Sequence, residues 1–406
     1  MAFARPLSLA TLLLAALPAA AQTCDKSYAF QATVNGNAGS LICDWNSKSF
    51  LDALSNINLS NANYTTTSAA VGTARFNDVS MTLSYPANSN TLSYSFPQLG
   101  ISGSFSANTR SAAEDLLKDY LKKEGVIGKI MNYQAKNSAT SPIAGPGGLV
   151  PLTIAADFGN AFNNSPTAVS GPATSGAAGN NLLSAALQYG QFRLSGVNDG
   201  IRTTTLPLSY TIRNDIDPRR QLSFSVPITL LELGDTKTVQ TGLGIAYRLP
   251  MNDRWTITPA GRASVVASID RATASFLYSG SLSSNYVIPM KGFDLVFGNM
   301  IGYYSTGKVS VGDYSASPDL RYTATRNGIM ISQPVTLGRK LTAEYSLIDT
   351  RYLGSQKPLI DNFQELGITL GTNKSALDAR SAFRGGITLT RGPNLRGATA
   401  NVGFWF

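Results

Sequence analysis

The stretch Leu395–Phe406 constrains the fold of this chain more than any other. Ala398, Ala400, Val402, Phe404 and Phe406 fall on one side of an extended strand, and Thr399, Asn401, Gly403 and Trp405 on the other. Such period-two alternation makes a strand with one apolar face. Water-soluble chains seldom finish on Phe-Trp-Phe, because their ends are usually polar and frayed. The closing strand of a bacterial outer-membrane barrel suits it, with the aromatics in the interfacial girdle. The competing reading is a buried last strand of a soluble β protein, and the remaining sequence decides between them.

From Ile201 onward the same alternation recurs. Leu206, Leu208, Tyr210 and Ile212 interleave with Thr205, Pro207, Ser209 and Thr211. Phe224, Val226, Ile228 and Leu230 interleave with Ser223, Ser225, Pro227 and Thr229, and Val239 to Leu249 repeats the pattern. Turn chemistry separates the segments, as in Asn214–Pro218, Gly234-Asp235, Met251-Asn252-Asp253, Leu337-Gly338-Arg339 and Gly392-Pro393-Asn394. Most segments are about ten residues long, the length a tilted strand needs to cross a bilayer. Eleven are countable, and twelve if Leu182–Arg193 is a strand rather than a short helix. A closed barrel takes an even number, which favours twelve, with ten as the fallback. The polar face is Ser, Thr, Gly and Gln with isolated Arg and Glu, where a soluble surface would be rich in Lys and Glu. It reads as a lumen, and the apolar face as a lipid-contacting band.

The N-terminal half is different. Residues 1–21 read as a secretory signal, with Arg5 as the positive region, Leu7–Leu17 as the apolar core and Ala19-Ala20-Ala21 as the cleavage site. After it no apolar run approaches about 18 residues, so any membrane insertion must use strands. Cys24 and Cys43 are the only cysteines, and in an oxidising compartment they form one disulfide. The closed loop of roughly 20 residues would stabilise by about 3 kcal/mol. Two helices are expected. The first starts near Ser47 and buries Phe50, Leu51 and Leu54. The second runs from Ser111 to Glu124, opened by a Ser111–Glu114 capping box, supported by a Glu114–Lys118 pair and closed by Gly125. Strand-like pieces lie at Val79–Tyr85, Thr91–Phe96 and Gly100–Phe105. From about Ser138 to Asn181 the composition turns to Gly, Pro, Ser, Ala and Asn, interrupted by an apolar piece at Leu149–Ala155. The expected organisation is a signal at 1–21, a small α+β domain at 22–160, a linker at 161–181 and a barrel at 182–406.

The barrel half carries Leu249-Pro250 followed by Trp255-Thr256-Ile257-Thr258-Pro259-Ala260. It also carries Ser279–Tyr286, Gly298-Asn299-Met300-Ile301-Gly302-Tyr303-Tyr304 and the terminal Phe404-Trp405-Phe406. On these it resembles the solitary outer-membrane autotransporter-type β-barrel family over roughly residues 200–406. The resemblance implies a twelve-stranded barrel like an autotransporter translocator. The chain departs from that family in carrying a substantial N-terminal domain.

Histidine is absent, so a Ser-His-Asp arrangement and an imidazole metal site are both impossible. Neither a catalytic residue nor a cofactor or metal site is expected. Net charge is +9, but no run of four or five basic residues occurs, so a nucleic-acid footprint is not supported. Arg248, Arg262, Glu344 and Arg384 alternate inward and are expected to line the lumen, either biasing it toward anions or holding a plug. Phe404 and Phe406 are expected to serve barrel closure and assembly. The expected partners are outer-membrane lipid and the barrel-assembly machinery. The sequence therefore points to the bacterial outer membrane and to a non-enzymatic barrel that anchors or displays its N-terminal domain. The alternative is a porin-like channel with that domain as a periplasmic module or plug.

Overall fold

The computed structural model describes residues 24–405 except 124, 164, 166–180, 218, 312–313, 337–339 and 373–381. The signal segment, most of the 161–181 linker, the Leu337-Gly338-Arg339 turn and Phe406 lie outside the described residues.

The N-terminal part is built on β1 (Tyr28–Val34), β2 (Asn37–Ala38), β3 (Ile42–Asp44), β4 (Ala70–Phe76), β5 (Val79–Tyr85), β6 (Thr91–Phe96) and β7 (Ile101–Ser106). These form one seven-stranded sheet in the order β2-β1-β4-β5-β6-β7, with β3 also beside β1. Cys24 and Cys43 are disulfide-bonded and tie the start of the domain to β3. Helices α1 (Ser47–Ser55), α2 (Arg110–Lys123) and α3 (Val126–Asn137) accompany the sheet. Asn46 caps α1 by accepting from the Lys48 amide at 2.9 Å. The expected capping box of α2 does not form. Thr109 Oγ1 accepts from the Ala112 amide instead, at 3.1 Å. Glu114 is drawn inward, within 3.4 Å of the buried Tyr85 hydroxyl, so Lys118 pairs with Asp115. Gly125 does take the left-handed conformation expected of it (φ +70°), and α3 follows at once, a helix the sequence reading did not place.

The barrel strands are β8 (Leu182–Leu194), β9 (Ile201–Arg213), β10 (Gln221–Leu233), β11 (Thr236–Pro250), β12 (Trp255–Ser268), β13 (Thr273–Met290) and β14 (Phe293–Gly307). A short hairpin of β15 (Val309–Val311) and β16 (Tyr314–Ala316) follows. Then come β17 (Arg321–Thr336), β18 (Lys340–Leu353), β19 (Asn362–Thr372), β20 (Ala382–Gly392) and β21 (Leu395–Trp405). Without the hairpin these make a closed antiparallel barrel of twelve. Leu182–Arg193 is thus a strand. The barrel closes where β21 pairs with β8, from Leu395↔Leu194 to Trp405↔Ser184, which leaves no free edge in the barrel. Side chains such as Leu187, Tyr210, Leu243, Tyr278, Leu347, Ile368, Ile387 and Phe404 are exposed on its outside. Thr205, Thr229, Gln240, Thr258, Ser264 and Ser283 are buried within. An apolar exterior of this extent needs lipid, and a closed barrel satisfies every backbone group there without water.

With an even number of strands, β8 begins and β21 ends on one rim, here called the near rim. The far rim carries the β8–β9, β10–β11, β12–β13, β14–β17, β18–β19 and β20–β21 connections. The N-terminal domain sits on the far rim. Trp45 Nε1 donates to Asp199 at 2.7 Å, the Ser47 amide to the Asp270 carbonyl at 2.6 Å and Asn132 Nδ2 to the Pro318 carbonyl at 2.6 Å.

Candidate functional site

The expected division of the chain at residue 160 requires correction. The sheet-bearing domain ends with α3, and a further helix, α4 (Leu149–Phe162), lies inside the barrel. Residues 140–148, which composition had marked as loose, are all buried. Small residues are there because the turn is tight: a Cβ on Gly145 would stand 2.3 Å from the Ala139 carbonyl oxygen. Pro151 falls in the first turn of α4, where a missing N–H costs nothing. The buried residues Leu149, Val150, Thr153, Ile154, Asp157, Phe158, Ala161 and Phe162 follow the helical period.

Helix α4 enters at the far rim and runs toward the near rim. At its start, Gln240 Nε2 donates to the Gly147 carbonyl at 3.1 Å. One continuous apolar cluster joins the core of the N-terminal sheet to Ile143, Ala144, Leu149 and Val150, and these to Leu194, Ile201, Leu231, Leu233 and Leu395 of the barrel. At its end, the wall is shaped to the helix. A Cβ on Gly298 would fall 2.3 Å from the Phe162 ring, and one on Gly328 would fall 3.0 Å from both the Phe158 and Phe162 rings. Two glycines in facing positions of paired strands (Gly298↔Gly328) therefore hold space for two stacked aromatics of the helix.

Of the four residues singled out from sequence, Arg248, Arg262 and Glu344 are buried and Arg384 is largely so, and they meet this helix or its exit directly or through one another. Arg262 Nε donates to Asp157 Oδ1 at 3.0 Å, with both side chains 2% exposed. The Ser279 hydroxyl donates to Asp157 Oδ2 at 3.4 Å. Arg248 Nη2 donates to the carbonyls of Ala161 and Asn160, at 3.0 and 3.4 Å. A cation placed there complements the negative end of the helix dipole and adds a charged donor to carbonyls of the last turn. Arg384 is ion-paired with Glu344 and also donates to the Asn163 carbonyl at 3.3 Å.

The sequence reading missed several partners. Asp157 is the charge on the buried face of α4. Arg326 lies over the Phe158 ring, 5.4 Å from its centroid, and pairs with Glu365. Arg271, wholly buried on the β12–β13 turn, donates to the Thr140 carbonyl at 2.7 Å and to Ser27 Oγ at 3.4 Å. A charge on an otherwise apolar helical face was the available signal for Asp157. Arg271 gave none, because a turn arginine ordinarily faces water.

Helix α4 packs toward β11–β14 and β17. On its other side a cavity of about 440 Å³ remains, walled by Ala155, Ala156 and Gly159 of the helix and by Thr205, Thr229 and Thr388 of the barrel. Among the described residues no group of three metal-ligating side chains is present. The arrangement clamps a helix: guanidinium groups meet a carboxylate and carbonyls of the last turn, and aromatic rings meet glycines.

No family model matches the chain, and no curated protein matches it. Among solved structures, the β domain of the Bordetella autotransporter BrkA is similar at a TM-score of 0.45 and 10% identity, covering 56% of this chain and 98% of that one. The translocator domain of the autotransporter NalP from Neisseria meningitidis is similar at a TM-score of 0.44 and 9% identity, covering 63% and 96%. The NanC porin follows at 0.34 and 11%, covering 55% and 98%. The closed barrel with its apolar exterior and polar interior is of the outer-membrane type.

Proposed function

We propose that this protein is a non-enzymatic outer-membrane anchor that carries its N-terminal domain on the outer face, tethered by a helix passing through its own barrel. One observation carries the reading: α4 leads from the domain on the far rim, through the lumen, toward the near rim where β8 begins. The longest connection between barrel strands, residues 308–320, is on the far rim, and longer loops in such barrels are extracellular. The clamp on α4 suits a permanent tether. In this reading Phe404, exposed on the outer wall, meets lipid, and Phe406 is the residue the assembly machinery reads.

Single cysteines test it. Thr66→Cys, exposed on the N-terminal domain, and Met251→Cys, exposed on a near-rim turn, are treated with a membrane-impermeant maleimide. Labelling of Thr66→Cys on intact cells, with Met251→Cys reached only after permeabilisation, is expected. The reverse pattern refutes surface display.

The cavity beside α4 favours a second reading, a channel for which the helix and the domain are the plug. Single-channel conductance separates the two. An anchor stays closed, whereas a gated channel opens in the full-length chain.

A further inference from the structure

The N-terminal sheet has two edges, and only one is protected. At the first, β2 is two residues long, and β3 is held against β1 next to the disulfide. At the other, among the described residues, β7 pairs with β6 alone. Its far side presents main-chain N–H and C=O groups without strand partners. Proteins usually blunt such an edge with Lys, Pro, a bulge or a covering element. The sequence of β7 is Ile-Ser-Gly-Ser-Phe-Ser, and its register with β6 runs unbroken from Phe96↔Ile101 to Thr91↔Ser106. Ser102, Gly103 and Ser104 are exposed. No charged residue occurs between Asp78 and Arg110, so β5, β6 and β7 can meet a copy of themselves without like-charge repulsion.

The parity of the strand fixes how two copies fit. Ile101, Gly103 and Phe105 lie on one face of β7, where Phe105 stacks on Tyr94 and approaches Tyr120 of α2. Ser102, Ser104 and Ser106 lie on the other. Two β7 strands related by a two-fold axis run antiparallel, and opposed residues must share a face. A register centred on Gly103 satisfies this. It sets Ile101 against Phe105 of the second copy, and Ser102 against its Ser104. Apolar then meets apolar on one face and hydroxyl meets hydroxyl on the other.

We propose that β7 is a homodimerisation edge, joining the sheets of two copies of this chain through an antiparallel β7–β7 pair with its two-fold axis at Gly103. This goes beyond the anchoring role and does not depend on which rim faces outward.

The full-length chain in detergent tests it, with protein mass read by light scattering. The wild type is expected at twice the chain mass. Ser102→Lys/Ser104→Lys sets lysine against lysine and is expected at the single-chain mass. Ser102→Glu/Ser104→Lys sets glutamate against lysine in the same register and is expected to return to twice. The substitutions are on exposed positions, and heat-modifiable migration confirms folding of each barrel.

In membranes, co-expressed Ser102→Cys and Ser104→Cys chains are expected to cross-link at least several-fold more than Ser102→Cys with Ser106→Cys. That measurement applies even if a lysine variant fails to fold. A monomeric wild type, alone or with an extended peptide of another protein on β7, overturns the proposal. So do a dimeric double-lysine variant, failure of the charge-swapped variant to recover, or cross-linking that ignores register.

Discussion

Replacing Arg262 by leucine isolates the one carboxylate that α4 buries against the barrel wall. Asp157 and Arg262 meet at 3.0 Å with both side chains 2% exposed, and the remaining hydrogen bond to Asp157 is the longer one from Ser279, at 3.4 Å. Breaking a buried pair by removing one partner costs about 3–5 kcal/mol, because the charge left behind is uncompensated. At about 1.4 kcal/mol per factor of ten, seating of the helix weakens by roughly two to three and a half orders of magnitude. Removing both charges, in Asp157→Leu/Arg262→Leu, leaves no orphan and costs far less. Planar-bilayer recordings of the purified chain read the difference. The single variant should show frequent large openings as α4 leaves the lumen, and the double variant should be nearly as quiet as the wild type. An Arg262→Leu chain that stays closed, or a double variant that leaks as much as the single, refutes the clamp.

Other outcomes follow from the same structure. Arg271→Ala leaves the Thr140 carbonyl without its donor in a buried junction, a loss of about 1–3 kcal/mol, and should speed amide exchange at residues 139–148 while the barrel strands stay protected. Burial raises the Glu114 carboxyl from 4.5 to about 7. The folded domain therefore holds a proton that the unfolded chain releases, and the associated stability is full below about pH 4.5 and is lost as pH rises through about 7. Melting of the N-terminal domain should thus fall between pH 5 and pH 8, by on the order of 1–2 kcal/mol once partial solvent screening is allowed for. Glu114→Gln should flatten that dependence, and an unchanged slope would count against the buried, protonated carboxyl.

The barrel was legible because each strand faces lipid on one side and a polar lumen on the other, which writes a clean period of two into the sequence. Ambiguity arose at β8, where Ala185-Ala186 blunts the contrast between its faces. Two purposes were expected of the lumen arginines, biasing the lumen toward anions or holding a plug, but the choice between them was not legible. It depends on α4, whose helical period over Leu149–Phe162 was obscured by flanking glycines and prolines that composition reads as a linker. Those residues serve a tight buried turn instead. Glycine at 298 and 328 likewise carries no local signal. Its reason is a pair of aromatic rings far away in sequence. The capping box failed for a related cause, since the buried Tyr85 hydroxyl draws Glu114 away from the helix start.

In the proposed arrangement the N-terminal domain stands outside the membrane while α4 occupies the lumen beneath it. Proteinase K applied to intact cells tests both parts at once. The sheet-bearing domain is expected to be degraded from outside, and the membrane-retained fragment to begin between residues 138 and 149, ahead of the clamped helix. Full protection of the chain until the outer membrane is permeabilised would contradict the display, and a protected fragment beginning beyond residue 181 would contradict the helix in the lumen.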